Sequence, residues 1–600
     1  MMRQVFLSLC GKSNILHPSI PTLFLAKLCS SYLGKWKLPQ GYDTGITVYN
    51  SAVNKRVPLI LRDKGIATWY ICGPTVYAES HIGHASCYVK FDIIRRIMEN
   101  IFGINVLLLM GITDIDDKII KEANKVGKNV SQVSKKYELD FFNDMAAMQI
   151  KPPSIICRVT DNIPLIISFC ERLISKGYAY VTDEGNVYFM VSKGISADIL
   201  SNLPEDCQLV TDPLKKDQRD FAVWKAAKPD EPYWLSPWGK GRPGWHIECS
   251  AMASHIFGSQ LDLHSGGYDL LFPHHANEKS QSEAFHGCSQ WVNYWMHSGL
   301  LQIDDSEKMS KSLKNTISIK DYLKENSVND FRILCLQSLY RKNISYNAET
   351  LAGAKGLHKK LHSFINDCEL YVSGMIQNNC VDHSRLLSKL TSVKEQVTFS
   401  FSKDFNTSQA LLNLVQLIDE VNRCLHCSSV NNSSNPEGST AVAACASYVD
   451  SVLEMLGVNI ICKKRLSREF VYQVDAVVEF RNEIRLLALS YNKKGGTVVD
   501  KKAFQISIDS AYECFKQKLN LIEKREVQSL NISPIVEVCD NFYQQVSDFW
   551  KENMVEALNC SNRKLSSLFC FCDEFRSSLE KFGIGIKDKN QISTWFPLIK

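Results

Sequence analysis

The first 42 residues contain no aspartate and no glutamate. Arg3, Lys12, Lys27, Lys35 and Lys37 stand there among serines and leucines. An acid-free, basic, serine-containing leader has the composition of an organelle transit peptide, against the plainer reading of a basic tail with no address. Without these five charges, 64 basic side chains face 64 acidic ones, where the whole chain has 69 against 64. No global field therefore draws in a nucleic acid, and such a partner is expected to be held by local patches. No apolar run reaches the roughly 18 residues that span a bilayer, so no membrane span is expected. The 21 cysteines lack the spacing of a secreted disulfide framework, and reduced thiols are expected. No internal repeat is found. Six hundred residues exceed one core and predict three to four domains.

What is present concentrates between residues 241 and 278, GRPGWHIECSAMASHIFGSQLDLHSGGYDLLFPHHANE. His274 and Glu278 stand four apart just after Pro273. If Pro273 opens a helix, both side chains share one face. An imidazole and a carboxylate so placed suit zinc, and Cys249 offers a thiolate. Cys72, in WYICGPTVY, is the candidate fourth ligand, although only a fold can bring it near. Taken singly these residues say little. A His and a Glu four apart are common on helices, and a free cysteine is usually a small core residue.

Around this stretch, strands and helices alternate. Residues 66–72 (IATWYIC) are apolar and rich in β-formers, a buried strand ended by Gly73 and Pro74. HIGH follows at His81, Ile82, Gly83 and His84, then Phe91, Ile94, Met98 and Ile101 at helical spacing before Gly103. Strand, loop and helix start make the place where an α/β sheet receives phosphate. Gly83 leaves room there, and His81 and His84 can donate to phosphate oxygens.

Residues 104–112 (INVLLLMGI) predict a second buried strand, and TDIDDKIIK a helix capped by Thr113 or Asp114. Asp114, Asp116 and Asp117 read as capping and solvated charge before they read as a magnesium site. Residues 162–176 predict a helix closed by Gly177, and Asp183-Glu184-Gly185-Asn186 a hairpin turn. Strand-like residues resume near Trp245, and residues 261–263 predict a buried strand. Gly266 and Gly267 allow close approach of a ligand, and Asp269 can accept from ribose hydroxyls. In EKMSKS, Lys308 and Lys311 stand in a polar loop suited to closing over a triphosphate.

Residues 351–370, 408–425, 446–457, 475–489 and 510–524 read as helices, 428–439 as a Ser/Asn-rich loop, and 587–600 as irregular. The predicted fold is α/β: a Rossmann-like, doubly wound parallel sheet with an inserted subdomain, followed by a C-terminal helical bundle.

CGPTVY, HIGH, ITDIDDKII, WGKGRPGWHIECSAM, GGYDLLFPHHANE, NYWMHSGL and EKMSKS occur in the order found in class I cysteinyl-tRNA synthetases. The chain resembles that family from about residue 47 to about residue 347, and more loosely beyond. With its acid-free start it is similar to the mitochondrial form, which implies the mitochondrial matrix.

The resemblance implies ATP-dependent conversion of L-cysteine to cysteinyl-adenylate, then transfer to the terminal adenosine of tRNA(Cys). It implies one zinc ion on Cys72, Cys249, His274 and Glu278. It implies a cysteine pocket of Gly73, Thr75, Thr113, Trp245 and His274. His81, Gly83, His84, Gly266, Gly267, Asp269 and Lys311 are then the ATP contacts. Lys308 and Lys311 meet the departing pyrophosphate, and magnesium enters with ATP. Serine differs from cysteine by one atom, which shape resolves poorly, whereas a thiophilic ion separates them by binding sulfur. No insert is large enough to house a separate editing domain.

The expected divisions are a leader at 1–42, catalytic halves at 43–150 and 229–300, and an insert at 151–228. Residues 301–346 then carry KMSKS and the stem contacts, and 347–600 an anticodon-binding helical region with an irregular tail. A monomer is expected. Two departures stand out: Ala276 replaces an acid in HHANE, and Ser265 and Tyr268 stand where relatives often have Gly and Ser.

Two other readings use the same residues. A cysteine ligase with an amino-sugar acceptor keeps the zinc and both ATP motifs but has no use for a long helical half. A catalytically silent tRNA-binding paralogue has no need of His81, His84, Lys308, Lys311 and four ligands. The resemblance also implies a side activity, cysteine persulfide synthesis with pyridoxal phosphate on Lys118, Lys121, Lys308 and Lys311. The KIIK spacing alone is an ordinary solvated helix face.

Overall fold

The computed structural model describes residues 36–193, 212–303, 307–308, 316–374, 381–426, 436–460, 468–493, 501–523, 533–553, 563–580, 582, 584–589 and 592–597. Most of the expected leader and Lys311 lie outside the described residues, and of Lys308 the backbone alone is described. The chain divides into two units. One comprises residues up to Tyr322, Cys335–Ala348 and Glu395–Leu412. The other comprises Leu323–Leu334, Glu349–Lys394 and Asn413–Lys600.

The first unit is built on five parallel strands in the order Val292–Ser298, Leu261–Gly267, Ile66–Thr75, Asn105–Thr113, Ile155–Arg158. The earliest strand is central. The chain winds outward on one side, then returns to wind outward on the other, as expected of a doubly wound sheet. The switch point falls between Ile66–Thr75 and Leu261–Gly267, where such sheets open a crevice at the strand ends. Trp69, Tyr70, Leu109, Leu263 and Trp295 are buried along these strands, because helices cover both faces.

A second, antiparallel sheet has the order Ala179–Val181, Val187–Phe189, Phe221–Ala226, Gly239–Pro243, Trp234–Ser236. Its first turn is the expected one, with Gly185 at φ 86°. The sheet runs past residue 228 to Pro243, and Ile155–Arg158 belongs to the parallel sheet instead.

Several local expectations are corrected. Trp245 starts a helix, Trp245–Phe257, rather than a strand. Thr113 ends its strand, and the following helix, Asp117–Val126, is capped by Asp116, whose side chain accepts from Lys118 N. The three aspartates go separate ways: Asp114 takes Thr160, Asp116 the cap, and Asp117 pairs with Lys225 and Arg242. Pro273 lies inside a π-helical turn, Leu271–His275, and the helix proper is Ala276–His286. Pro436–Met455 is helical, which takes residues 436–439 out of the expected loop, and the rest of that stretch lies outside the described residues.

In the second unit, Arg468–Lys493, Lys501–Glu523, Ser533–Asn553 and Arg563–Glu580 pack Phe480, Phe515, Phe542 and Phe575 into one core. The segment expected to be irregular is a hairpin, Ile584–Lys589 with Ile592–Pro597, whose Trp595 joins that core. Arg481 is buried beside it, donating to Asp588 Oδ1 at 2.8 Å and to Cys572 O at 2.9 Å.

Candidate metal centre and nucleotide cleft

Three separate segments bring four donors together. Cys72 comes from the end of the central strand, where a Cβ on Gly73 would fall 2.2 Å from Gly111 O. Cys249 comes from Trp245–Phe257, whose start needs Gly244, because a Cβ there would meet Ala222 O at 2.0 Å. His274 and Glu278 come from the turn after Leu271 and the helix it feeds.

The ligand atoms of Cys72, Cys249, His274 and Glu278 all lie within 4.8 Å of one another, and all four side chains are buried. The two sulfurs are 3.9 Å apart, Cys249 Sγ is 3.5 Å from His274 Nε2, and Cys72 Sγ is 3.7 Å from Glu278 Oε1. Zinc–sulfur bonds of about 2.3 Å and zinc–nitrogen bonds of about 2.0 Å at tetrahedral angles give edges of about 3.8 Å and 3.5 Å. The donor set therefore fits zinc in kind and in spacing. His274 Nε2 and Glu278 Oε1, at 2.9 Å, are closer than such an edge and attract each other directly.

Electrostatics hold Glu278 and Cys249 in ligand form and His274 and Cys72 protonated, so a bound ion would displace a proton from each of those two. Burial alone raises a carboxyl pKa, but His264 and His274 overcome it and hold Glu278 at about 2. The hydrogen bond from Cys72 is the largest effect on Cys249 and brings that thiol down to about 6. Burial opposes charge on His274, yet Glu278 and Cys249 raise it to about 10.

Further buried histidines and tryptophans touch these four side chains. His264 Nε2 is 2.9 Å from Glu278 Oε2, and its ring stacks on Trp295. His246 Nδ1 is 3.0 Å from His274 Nδ1, and Trp245 stacks on His274 with centroids 4.4 Å apart. His275 Nε2 lies 3.4 Å from Cys72 Sγ, while its Nδ1 is 2.8 Å from His297 Nε2. Burial holds His246, His275 and His297 below the ordinary histidine range. Cys72, His264, His275 and Glu278 form an overlapping cluster of the same compactness.

A cleft of about 300 Å³ opens over this cluster at the switch point. Cys72, Cys249 and His274 face it, with Gly73, Thr75, Thr113 and Trp245. His81, Gly83, His84, Gly267 and Asp269 line it as well. His81 caps the helix Ile82–Asn100, its backbone N–H donates to His84 Nδ1 at 3.3 Å, and the two rings stack at 3.8 Å. Gly266 does not line the cleft. A Cβ there would come within 2.9 Å of His275 Cε1, so this glycine makes room for an imidazole. Glu278 is wholly buried behind the cleft.

Lys308 sits by its backbone in a short strand paired with Gln302. Of the other lysines of interest, Lys118 lines the cleft, 5.8 Å from the Tyr77 ring, and Lys121 faces solvent.

Sequence reasoning missed Glu248, which accepts from Thr113 Oγ1 at 3.1 Å and is held well above the usual carboxyl range, chiefly by burial. It also missed His246, His264 and His297. A signal existed for the first two residues in WHIEC, where His246 and Glu248 flank a helix face beside Cys249.

Comparison with known proteins agrees with this geometry. The family described as tRNA synthetases class I (C) catalytic domain matches residues 60–356. A Xenopus tropicalis protein named probable mitochondrial cysteine–tRNA ligase is 38% identical, over 95% of this chain and 92% of its own. The Dictyostelium discoideum cytoplasmic cysteine–tRNA ligase is 38% identical over 76% of this chain and 74% of its own. A Methanococcus maripaludis cysteine–tRNA ligase is 42% identical over 63% of this chain and 80% of its own. In fold alone, the chain matches a solved Mycobacterium tuberculosis methionyl-tRNA synthetase with a TM-score of 0.50 at 14% identity, covering 65% of this chain and 92% of that one. Zinc-compatible thiols beside a histidine-lined cleft, on a doubly wound sheet, are thus joined to full-length likeness, and the chain belongs to the cysteine–tRNA ligase family of class I tRNA synthetases.

Proposed function

We propose that the chain activates L-cysteine with ATP and transfers it to the 3′ adenosine of tRNA(Cys) in the mitochondrial matrix, with zinc selecting the amino acid by its sulfur. The observation that supports this most is the convergence of Cys72, Cys249, His274 and Glu278 beside a cleft that His81 and His84 also line.

Cys72 and Cys249 would hold the ion as thiolates, Glu278 as a carboxylate and His274 through Nε2. Zinc bound there would supply a thiophilic Lewis acid, to which cysteine sulfur is a good ligand and a serine hydroxyl a poor one. His264 keeps Glu278 turned toward the site, and Trp245 with His246 keeps the His274 ring in place. Thr113, steadied by Glu248, and the open backbone at Gly73 and Thr75 receive the rest of the amino acid.

At the other end of the cleft, His81 and His84 stand at a helix N-terminus, which favours ATP phosphates. Gly267 and Asp269 face the adenosine. The substrate carboxylate attacks the α-phosphorus, the bond to the bridging oxygen breaks, and pyrophosphate leaves. Lys308 and Lys311, with the magnesium carried by ATP, neutralise its charge. The attacking group is already anionic, so no protein base is needed in this step. The ribose hydroxyl of the terminal adenosine then attacks the carbonyl, and AMP departs.

Metal analysis combined with cysteine-dependent pyrophosphate exchange tests the first half, with serine as the competing amino acid. Charging of tRNA(Cys) against an amino-sugar acceptor tests the second. A zinc-free protein with full exchange activity would reject sulfur selection, and cysteine transfer to the sugar alone would reject the tRNA acceptor.

A further inference from the structure

Lys90 lies on the helix Ile82–Asn100, three residues beyond Cys87, and is 2% exposed. Taking an ammonium out of water is costly unless it is paired, and no carboxylate pairs with this one among the described residues. Its Nζ donates instead to two backbone carbonyls, Gly299 O at 2.8 Å and Lys342 O at 3.3 Å. Burial lowers its pKa from the ordinary 10.5, against the pull of Cys335 and Cys87.

The two carbonyls belong to a joint outside the sheet ladders, where Val292–Ser298 has just ended and Ile344–Tyr346 has yet to begin. Gly299 N donates to Tyr340 O at 2.9 Å, and Ile344 N to Leu300 O at 2.9 Å, so the two segments run side by side. A Cβ on Gly299 would fall 2.0 Å from Lys342 O, which leaves no slack between them. This joint carries part of the cleft. Residues 298–301 form one stretch of the lining, and Gly83, His84 and Cys87, on the same helix as Lys90, form another. Further on, Leu301–Ile303 pairs with Glu307–Lys308, where EKMSKS begins. Lys90 itself does not line the cleft.

We propose that Lys90 is a positioning residue for the nucleotide cleft: its ammonium pins the 298–301 wall, and the strand that leads to Lys308, to the helix that presents His81 and His84. An ammonium serves here where an apolar side chain would not, because it is a compact charge with three donors and reaches two carbonyls at once. With the wall free to shift, ATP loses the fixed geometry that attack at its α-phosphorus needs. The inference rests on the ATP reading of the cleft given above.

Lys90→Met in the full chain tests it, since methionine fills much of the same space and removes the donors. In cysteine-dependent pyrophosphate exchange the KM for ATP rises by about tenfold, while the KM for cysteine and the zinc content keep their wild-type values. A packing role alone would lower the active fraction, and with it kcat, and leave both KM values in place. An unchanged KM for ATP therefore overturns the proposal, and so does an equal rise in both KM values. The same selective rise is expected of Lys90→Gln, which is too short to span both carbonyls and serves should the first variant not fold. Failure of both variants to fold overturns the proposal, by assigning the ammonium to the fold alone. A wild-type chain without cysteine-dependent exchange sinks the ATP reading itself, a result distinct from these.

Discussion

His264 Nε2 lies 2.9 Å from Glu278 Oε2, and neither side chain has exposed surface. The opposite carboxylate oxygen faces His274 at 2.9 Å. Glu278 is therefore aimed from behind, by a residue that the cleft never sees. Replacing His264 by alanine leaves a buried oxygen unpaired and frees the carboxylate to turn. Zinc affinity should fall about 10- to 100-fold by chelator competition. Affinity equal to wild type would show that the helix Ala276–His286 aims Glu278 unaided.

Cys249→Ser should remove zinc and cysteine activation together, since a hydroxyl is a poor zinc ligand and the two sulfurs are the soft half of the set. Metal content and cysteine-dependent pyrophosphate exchange are the measurements. Exchange surviving at the wild-type rate would detach selection of cysteine from the ion.

Lys311→Ala should spare zinc content and slow adenylate formation by about 100-fold, the usual loss when one donor to developing charge is removed. Burst kinetics separate this step from tRNA charging. An unchanged burst rate takes Lys311 out of the mechanism.

His286 carries a pH dependence away from the metal centre. Burial first, then Arg172 and Lys176, hold its pKa down at about 4 from an ordinary 6.5, and its Nε2 is 2.9 Å from Ser254 Oγ. The unfolded chain takes up this proton at a higher pH than the folded one. The stabilisation is present in full above pH 6.5, shrinks as pH falls from there, and is gone below about 4. The ring is half-exposed, so screening limits the effect to about 1 kcal/mol. His286→Gln should flatten the stability profile across that window in denaturation titrations, and a profile of unchanged slope would assign the dependence elsewhere.

Much of the catalytic unit was legible because its strands are buried on both faces and bounded by glycines, as at 66–72 and 104–112. The Trp245 helix was not, and its burial says why. Ile247, Glu248, Cys249, Ser250, Ala251, Met252, Ala253 and Ser254 are all inside, so no polar face marks a helical period. At TDIDD several aspartates compete for one cap, and local spacing alone could not choose Asp116. Cys249, His274 and Glu278 were legible as candidate metal ligands from residue type and spacing, whereas Cys72 was tied to them by resemblance, since nothing in the local pattern joins Cys72 to Glu278. His264 and Glu248 escaped because a buried polar side chain is recognised only through its partner. The last hairpin was missed because Trp595 is half of a long-range arrangement: its indole donates to Asp475 Oδ1 at 2.6 Å.

Arg481 belongs to the same arrangement. Its guanidinium bonds both oxygens of Asp588, at 2.8 Å and 3.0 Å, from a fully buried position. Asp588→Asn should destabilise the chain by about 3–5 kcal/mol, the cost of stranding one member of a buried pair. Arg481→Met with Asp588→Leu should recover much of it in urea unfolding. A double variant no better than the single one would mean that the Cys572 carbonyl is the partner that matters.

Cys72 and Cys249 are 177 positions apart, and Cys72 and Glu278 are 206 apart. A nascent or truncated chain that stops short of Glu278 owns some of the sulfurs but no cage. Long crossovers must close first, and the entropy of closing them has to be met by the sheet itself. On the proposed zinc reading, ion capture would then come late, as a stamp on finished assembly, and a folding-defective variant should betray itself as metal-poor long before its secondary structure is lost.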